Sequence, residues 1–141
     1  LGANNAAVNM VVEGNIVESI AGAGLVKTDA GRVTLAGNLS YTGETRIAGG
    51  TLVLAGPALL PSNQNLRFNG NASAAALDVG SATQVVRTIV MDQTNANRTV
   101  TSNGGNGSLT VNGDANLALP ASNGVTYDFS GLAGFTFDRA N

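Results

Sequence analysis

The stretch LVKTDAGRVTLAGNLSYTGETRIAGGTLVL, Leu25–Leu54, decides how the chain reads. Short apolar and threonine-rich runs alternate with glycine turns. In Arg32-Val33-Thr34-Leu35, Val33 and Leu35 share one face. In Thr51-Leu52-Val53-Leu54, Leu52 and Leu54 do the same. A period of two is the mark of a strand with one face buried and one face wet. Glycine and β-branched residues interrupt every window long enough for a helix.

The same pattern extends in both directions. Strand-like runs fall at Ala7–Val12, Ile16–Ile20, Leu25–Thr28, Arg32–Leu35, Glu44–Ala48, Thr51–Leu54, Asn65–Phe68, Ala74–Val79, Gln84–Met91, Arg98–Thr101, Ser108–Val111, Asn116–Leu119, Val125–Phe129 and Gly134–Phe137. Gly, Asn and Asp separate them, as at Asp29–Gly31, Gly49–Gly50, Asn69–Asn71 and Asn103–Gly107. Many short strands between such turns predict an all-β protein. Pro57–Asn65 is the most irregular connection. Its two prolines, Pro57 and Pro61, remove amide donors, so it reads as a loop or a helical turn.

Alternation alone fits a β-sandwich or a β-solenoid. Two features favour the solenoid. The strands are about four residues long and no long pair is joined by an Asn-Gly hairpin. The core residues are small and aliphatic, which suits thin coils stacked at about 4.8 Å with like residues above like. Asparagine is frequent at the corners (Asn38, Asn63, Asn69, Asn103, Asn112 among them). Stacked amides would bond from coil to coil. Equally, asparagine tolerates left-handed turns. An antiparallel β-sandwich stays the alternative.

Composition narrows function. The 141 residues fit one domain, 1–141. Aromatics are 4% and tryptophan is absent, so alanine, valine, leucine and isoleucine must fill the core. Net charge is −2 and the seven basic residues are scattered, which leaves no electrostatic footprint for nucleic acid. Without cysteine there are no disulfides or thiolate metal sites. Without histidine the commonest general base and metal ligand is missing. No apolar run approaches the ~20 residues that span a bilayer. Leu1 begins in mid-pattern with no basic region before it, so the chain reads as a mature protein or a piece of a longer one.

The segment Leu25–Leu54, with Tyr41-Thr42-Gly43 and Thr45 as its most recognisable part, resembles the autotransporter passenger-associated β-strand repeat. Ala58-Leu59-Leu60-Pro61, Leu66-Arg67-Phe68-Asn69-Gly70 and Ala76-Leu77-Asp78-Val79-Gly80 resemble the strands that follow it in that family. Asp29 and Glu44 stand where the family usually has glycine. The resemblance implies a right-handed parallel β-helix on the bacterial surface, in which the repeat is structural and carries no catalytic residue. The translocating membrane barrel of such proteins has no counterpart here, because no series of amphipathic ~10-residue strands closes the chain. Val125–Asn141 has no match in the pattern and reads as a C-terminal cap.

Candidate chemistry is sparse. A glycosidase needs two converging carboxylates. Of Glu13, Glu18, Asp29, Glu44, Asp78, Asp92, Asp114, Asp128 and Asp138, stacking would bring Asp78 to Asp92, or Glu13 to Glu44. Glu13, Asp29, Glu44 and Asp114 sit beside Gly or Thr at turns, and for the acids as a set a solvated turn carboxylate is the plainer reading. Asn103-Gly104-Gly105-Asn106-Gly107 has the glycines of a calcium β-roll without its aspartate. Lys27, the only lysine, reads as a surface residue whose stem covers apolar atoms. Tyr41, Tyr127, Phe129, Phe135 and Phe137 are candidates for sugar stacking, the last three also for covering the final coil.

The expectation is therefore a non-enzymatic β-solenoid of about five or six coils, without cofactor or metal. It would be a rod on the order of 25–30 Å at the ~4.8 Å spacing. It would serve as a rigid stem or adhesive module outside the cell, with a host or matrix surface or a glycan as partner. Leu1–Val12 forms an apolar edge with no proline, which invites end-to-end self-association into filaments. The rivals are a polysaccharide-degrading enzyme on the same fold and a carbohydrate-binding sandwich.

Overall fold

The computed structural model describes residues 1–2, 5, 8–69, 74–92, 96–103, 105–113 and 126–137. Its chain winds through successive coils. The first contains β1 (Asn9–Val12), β2 (Ile16–Val17) and β3 (Leu25–Lys27). The second contains β4 (Arg32–Leu35), β5 (Leu39–Ser40) and β6 (Thr45–Ile47). The third has β7 (Gly50–Leu54) and β8 (Asn65–Phe68), and the fourth has β9 (Ala75–Asp78), β10 (Thr83–Val86) and β11 (Thr88–Met91). β12 (Arg98–Thr101) and β13 (Ser108–Val111) follow, then β14 (Tyr127–Gly131) and β15 (Gly134–Phe137).

Strands at the same place in each coil stack into sheets. A six-stranded sheet runs β1-β4-β7-β9-β12-β14, and a four-stranded sheet runs β3-β6-β8-β11. The third position holds β2-β5 in the first two coils and β10-β13-β15 in the later ones. Every strand pairing among the described residues is parallel. That rules out the antiparallel sandwich. The fold is the expected all-β solenoid, of about five turns. Five steps of about 4.8 Å across the six-stranded sheet give a rise of roughly 24 Å.

Register is kept while coil length is not. Arg32 faces Thr51, and Thr51 in turn faces Ala76 after a longer stretch of chain. The turn that brings Arg98 opposite Tyr127 is longer still. The corners absorb the difference. Gly50 shows how tightly they do so. Its φ is 65°, and a Cβ there would run into the carbonyl oxygens of Gly31 and Asp29. Only glycine combines that backbone with that approach.

The core is a set of inward columns. On the broad sheet Met10, Val33, Leu52, Leu77 and Val100 stand in register. Val33, Leu52, Leu77 and Val100 are wholly buried, whereas Met10 is only partly so. On the four-stranded sheet Ile47, Phe68 and Met91 form another buried column. Each such side chain contributes about 1.5–3 kcal/mol by leaving water. The columns are mixed in shape, so close fit rather than identity of side chains holds them.

Four expectations change. Gln84–Met91 is not one strand: it bends at the exposed Arg87 into β10 and β11, which belong to different sheets. β5 supplies a strand that the run pattern lacks. Pro57–Asn65 does not loop away from the body, and it closes a single hydrogen-bonded turn in which the Gln64 amide donates to the Pro61 carbonyl. Ala58 and Leu60 are buried, and the segment fills the third position of its coil in place of a strand. The asparagines fixed at corners bond to backbone and to acid. Asn15 Oδ1 accepts from the Asn38 amide, Asn97 Oδ1 accepts from the Thr126 amide, and Asn103 Nδ2 donates to Asp78. The expected features at Asn116–Leu119, Asp114 and Asp138, and the side chains of Tyr127 and Phe137, lie outside the described residues.

Candidate functional site

Parallel stacking places outward residues of successive coils side by side, so charges far apart in sequence meet. On the outer face of the four-stranded sheet Arg67, in β8, lies between two acids. Its Nε donates to Glu44 at 3.1 Å, and its Nη1 donates to Asp92 at 2.7 Å. Glu44 precedes β6 and Asp92 follows β11, so the guanidinium ties three coils together. All three side chains are about one-third exposed, which limits each pair to roughly 0–1 kcal/mol. Arg46 is the in-register neighbour of Arg67.

A second cluster crosses the broad sheet. Arg32 in β4 reaches past β7 to Asp78 at the end of β9, with Nη2 to Oδ2 at 3.1 Å. Asp78 also accepts from the backbone amides of Gly80 and Asn103 and from the Asn103 side chain. Its side chain is 3% exposed. Burial pushes its carboxyl up, but these donors outweigh that and hold it below its ordinary value. The carboxylate is ionised and saturated with donors, which suits a fastener more than a nucleophile or a base.

The acids therefore do not meet as stacking predicts. Asp78 engages Arg32 on the broad sheet and Asp92 engages Arg67 on the other. Glu13 follows β1 and Glu44 precedes β6, at different corners. Glu18 accepts from the amide and the hydroxyl of Thr42 in the next coil, which with the amides of Gly22 and Ala23 lowers its carboxyl from the ordinary value. Asp128 accepts from the amide and hydroxyl of Ser130. The arginines are what sequence reasoning leaves out. Arg67 alternates between Leu66 and Phe68, so its outward direction is readable, but its partners require the coil lengths.

Lys27 departs furthest from expectation. It is not on the surface. It ends β3 pointing inward, wholly buried, in the column of Ile47, Phe68 and Met91. Its Nζ donates to the carbonyls of Thr28, Asp29 and Gly49, so it satisfies corner acceptors from two coils. Burial pushes its ammonium below the ordinary value, and Asp29 partly opposes that. Asp29 itself has φ of 63°, the one left-handed non-glycine among the described residues. That is the position where the repeat pattern usually has glycine.

Tyr41 is not a platform for sugar. It is buried, and its hydroxyl lies 2.5 Å from Thr45 Oγ1; burial pushes the phenol up to about 12. Gln84 is also wholly buried, and its Oε1 accepts from the Leu60 amide. Phe129 and Phe135 stack with centroids 4.5 Å apart and pack against the core from the last coil.

Described residues line two shallow grooves on the surface. One, of about 410 Å³, is lined by Ala30, Gly50, Thr51, Ala74, Ala75, Ala76 and Thr99 and carries no charge. The other, of about 310 Å³, runs beside Arg32, Asp78, Gly80 and Asn103. No group of three or more potential metal ligands occurs among the described residues. What the arginine clusters do chemically is fasten coil to coil: Arg67 bridges neighbouring turns and Arg32 spans two.

No curated protein and no solved structure matches the chain. A family model does match, over residues 25–54, the stretch from β3 to β7 that holds Lys27, Asp29, Tyr41 and Gly50. That stretch, about a fifth of the chain, matches the passenger-associated-transport-repeat, and with the solenoid around it the molecule fits an autotransporter passenger module.

Proposed function

We propose that the chain is a rigid, non-enzymatic stem of a secreted or surface-exposed bacterial protein, holding partner-binding faces away from the cell. The observation that carries this reading is the six-stranded parallel sheet, uninterrupted in register from β1 to β12, with the passenger-associated repeat supplying its strands β4 and β7. A stack of this kind is stiff because each coil supplies every backbone partner of the next. Its polar side chains are spent on inter-coil bonds, as at Arg67 and Asp78. The flat outer face of the four-stranded sheet offers a host matrix or glycan a regular surface, and the protein binds through it as an adhesin would.

Two measurements test the reading. Antibody raised against the protein labels intact cells of the producing bacterium; labelling only after lysis overturns the surface assignment. Purified protein gives no reducing ends on a panel of polysaccharides; sustained turnover replaces the stem with a polysaccharide-degrading enzyme.

A further inference from the structure

Asparagine precedes glycine at Asn69, Asn103, Asn106, Asn112 and Asn123. This dipeptide can modify itself. The glycine nitrogen attacks the asparagine Cγ, and a five-membered succinimide closes. Ammonia leaves, carrying the proton that the nitrogen gives up. Water then adds across one of the two new imide bonds, and aspartate or isoaspartate results. Glycine favours the attack because it has no side chain to hinder its nitrogen and an unrestricted backbone. Asn106-Gly107 and Asn112-Gly113 are the pairs in which both residues are described, and they bracket β13.

Both asparagines are exposed, and among the described residues no hydrogen bond holds either side-chain amide. The carbon under attack is therefore open to water. The glycine nitrogens are not. The Gly107 amide donates to Ser102 Oγ at 2.7 Å, and that hydroxyl donates in turn to the carbonyl of Gly80 in the preceding coil. On its other side the Gly107 carbonyl accepts from the Ala133 amide. The Gly113 amide donates to the Arg87 carbonyl at 2.9 Å, beside the bond from the Asn112 amide to Val86. A Cβ on Gly107 would strike the Gly80 carbonyl oxygen, and one on Gly113 would strike that of Arg87. Stacking thus demands glycine after each asparagine, and the same close approach ties down the nitrogen that makes the pair reactive.

We propose that Asn106 and Asn112 are latent sites of self-deamidation, held silent by the bonds from Gly107 to Ser102 and from Gly113 to Arg87 and released when the coils separate. To react, each glycine nitrogen must give up its hydrogen bond, shed its proton and turn toward Cγ. Within the stack that requires local opening, so the native rate is the unfolded rate multiplied by the open fraction. The product leaves a lasting mark. Isoaspartate carries the main chain through the former side chain and lengthens it by a methylene. At either end of β13 that extra atom breaks the register with β10 and β15. A coil that has opened and reacted no longer re-stacks as it did, and the acid records that it opened.

Peptide mass spectrometry of protein aged in mildly alkaline buffer tests it, with a parallel sample unfolded in guanidinium chloride. Aspartate and isoaspartate are counted at each site over time. Both sites react more slowly in the folded protein, by roughly tenfold or more. Ser102→Ala removes the acceptor of the Gly107 amide and leaves Gly113 bonded to Arg87. In that variant, with its fold checked by circular dichroism, Asn106 reacts several-fold faster than in the parent and Asn112 keeps the parent rate. Folded and unfolded rates that agree at either site overturn the proposal. So does an Asn106 rate unchanged by Ser102→Ala, or a rise that Asn112 shares equally. Should Ser102→Ala fail to fold, the comparison of folded with unfolded parent decides alone.

Discussion

The first coil and the second are built from the same kind of sequence and end in different states. Val33 and Leu35 in β4 are completely buried, whereas Met10 and Val12, their neighbours in register on β1, are only partly covered. Both pairs alternate with outward residues, and both face inward. The difference is the number of coils that touch them. In a solenoid the interior is made by stacking, so burial belongs to a position along the axis and cannot be assigned from the strand alone.

The sharpest way to break that comparison is to truncate equivalent side chains in one column. Leu52→Ala, with coils on both sides, costs about 3 kcal/mol, and Met10→Ala about 1 kcal/mol, by urea denaturation of the monomer. Equal losses would mean that the first coil is as well packed as the third.

Next in size is Lys27. Replacing it by methionine keeps the buried stem but leaves the Thr28, Asp29 and Gly49 carbonyls without their donor. The expected loss is about 2 kcal/mol, because unsatisfied buried acceptors keep their desolvation cost. Lys27→Met as stable as the parent would show that the stem matters and the ammonium does not.

Asp78 sharpens the comparison through pH. Its folded carboxyl lies below its ordinary value, so the folded state binds fewer protons than the unfolded chain as the medium is acidified. Its contribution is present above the unfolded value of about 3.9 and disappears as pH falls through the lower folded value. Denaturation midpoints between pH 5 and 2 fall more steeply for the parent than for Asp78→Asn. Parallel curves would remove Asp78 from the inter-coil fastening.

The smallest effect is expected at Asp29. Asp29→Gly relieves a left-handed backbone and loosens the unfolded chain, so stability changes by less than about 1 kcal/mol. Asp29→Val, which resists that conformation, costs about 1–2 kcal/mol by urea denaturation.

Much of the fold is legible because its signal is local. Arg32–Leu35, Asn65–Phe68 and Ser108–Val111 alternate within four residues, and each is a strand with the expected face buried. β5 is not legible: two residues are too few to show a period. The bend at Arg87 escapes the pattern because a corner between two extended segments needs neither glycine nor proline when φ stays negative. The polar bridges are unreadable for a different reason. Arg67 reaches acids 23 and 25 residues away and Arg32 one 46 residues away. Those separations depend on coil lengths that differ from turn to turn and appear nowhere in the alternation. The inward lysine is hidden by the rule that lysine seeks water, which fails where a turn of backbone supplies the solvent's oxygen atoms instead.

The segment between β7 and β8 shows where this architecture is forgiving. It replaces a strand with an irregular run, yet β6 still pairs with β8 and β7 with β9 without a slip. Two sides of the prism carry the lattice and the third can be rewritten. A peptide inserted beside the exposed Leu59 would be displayed on the flank of an unaltered shaft.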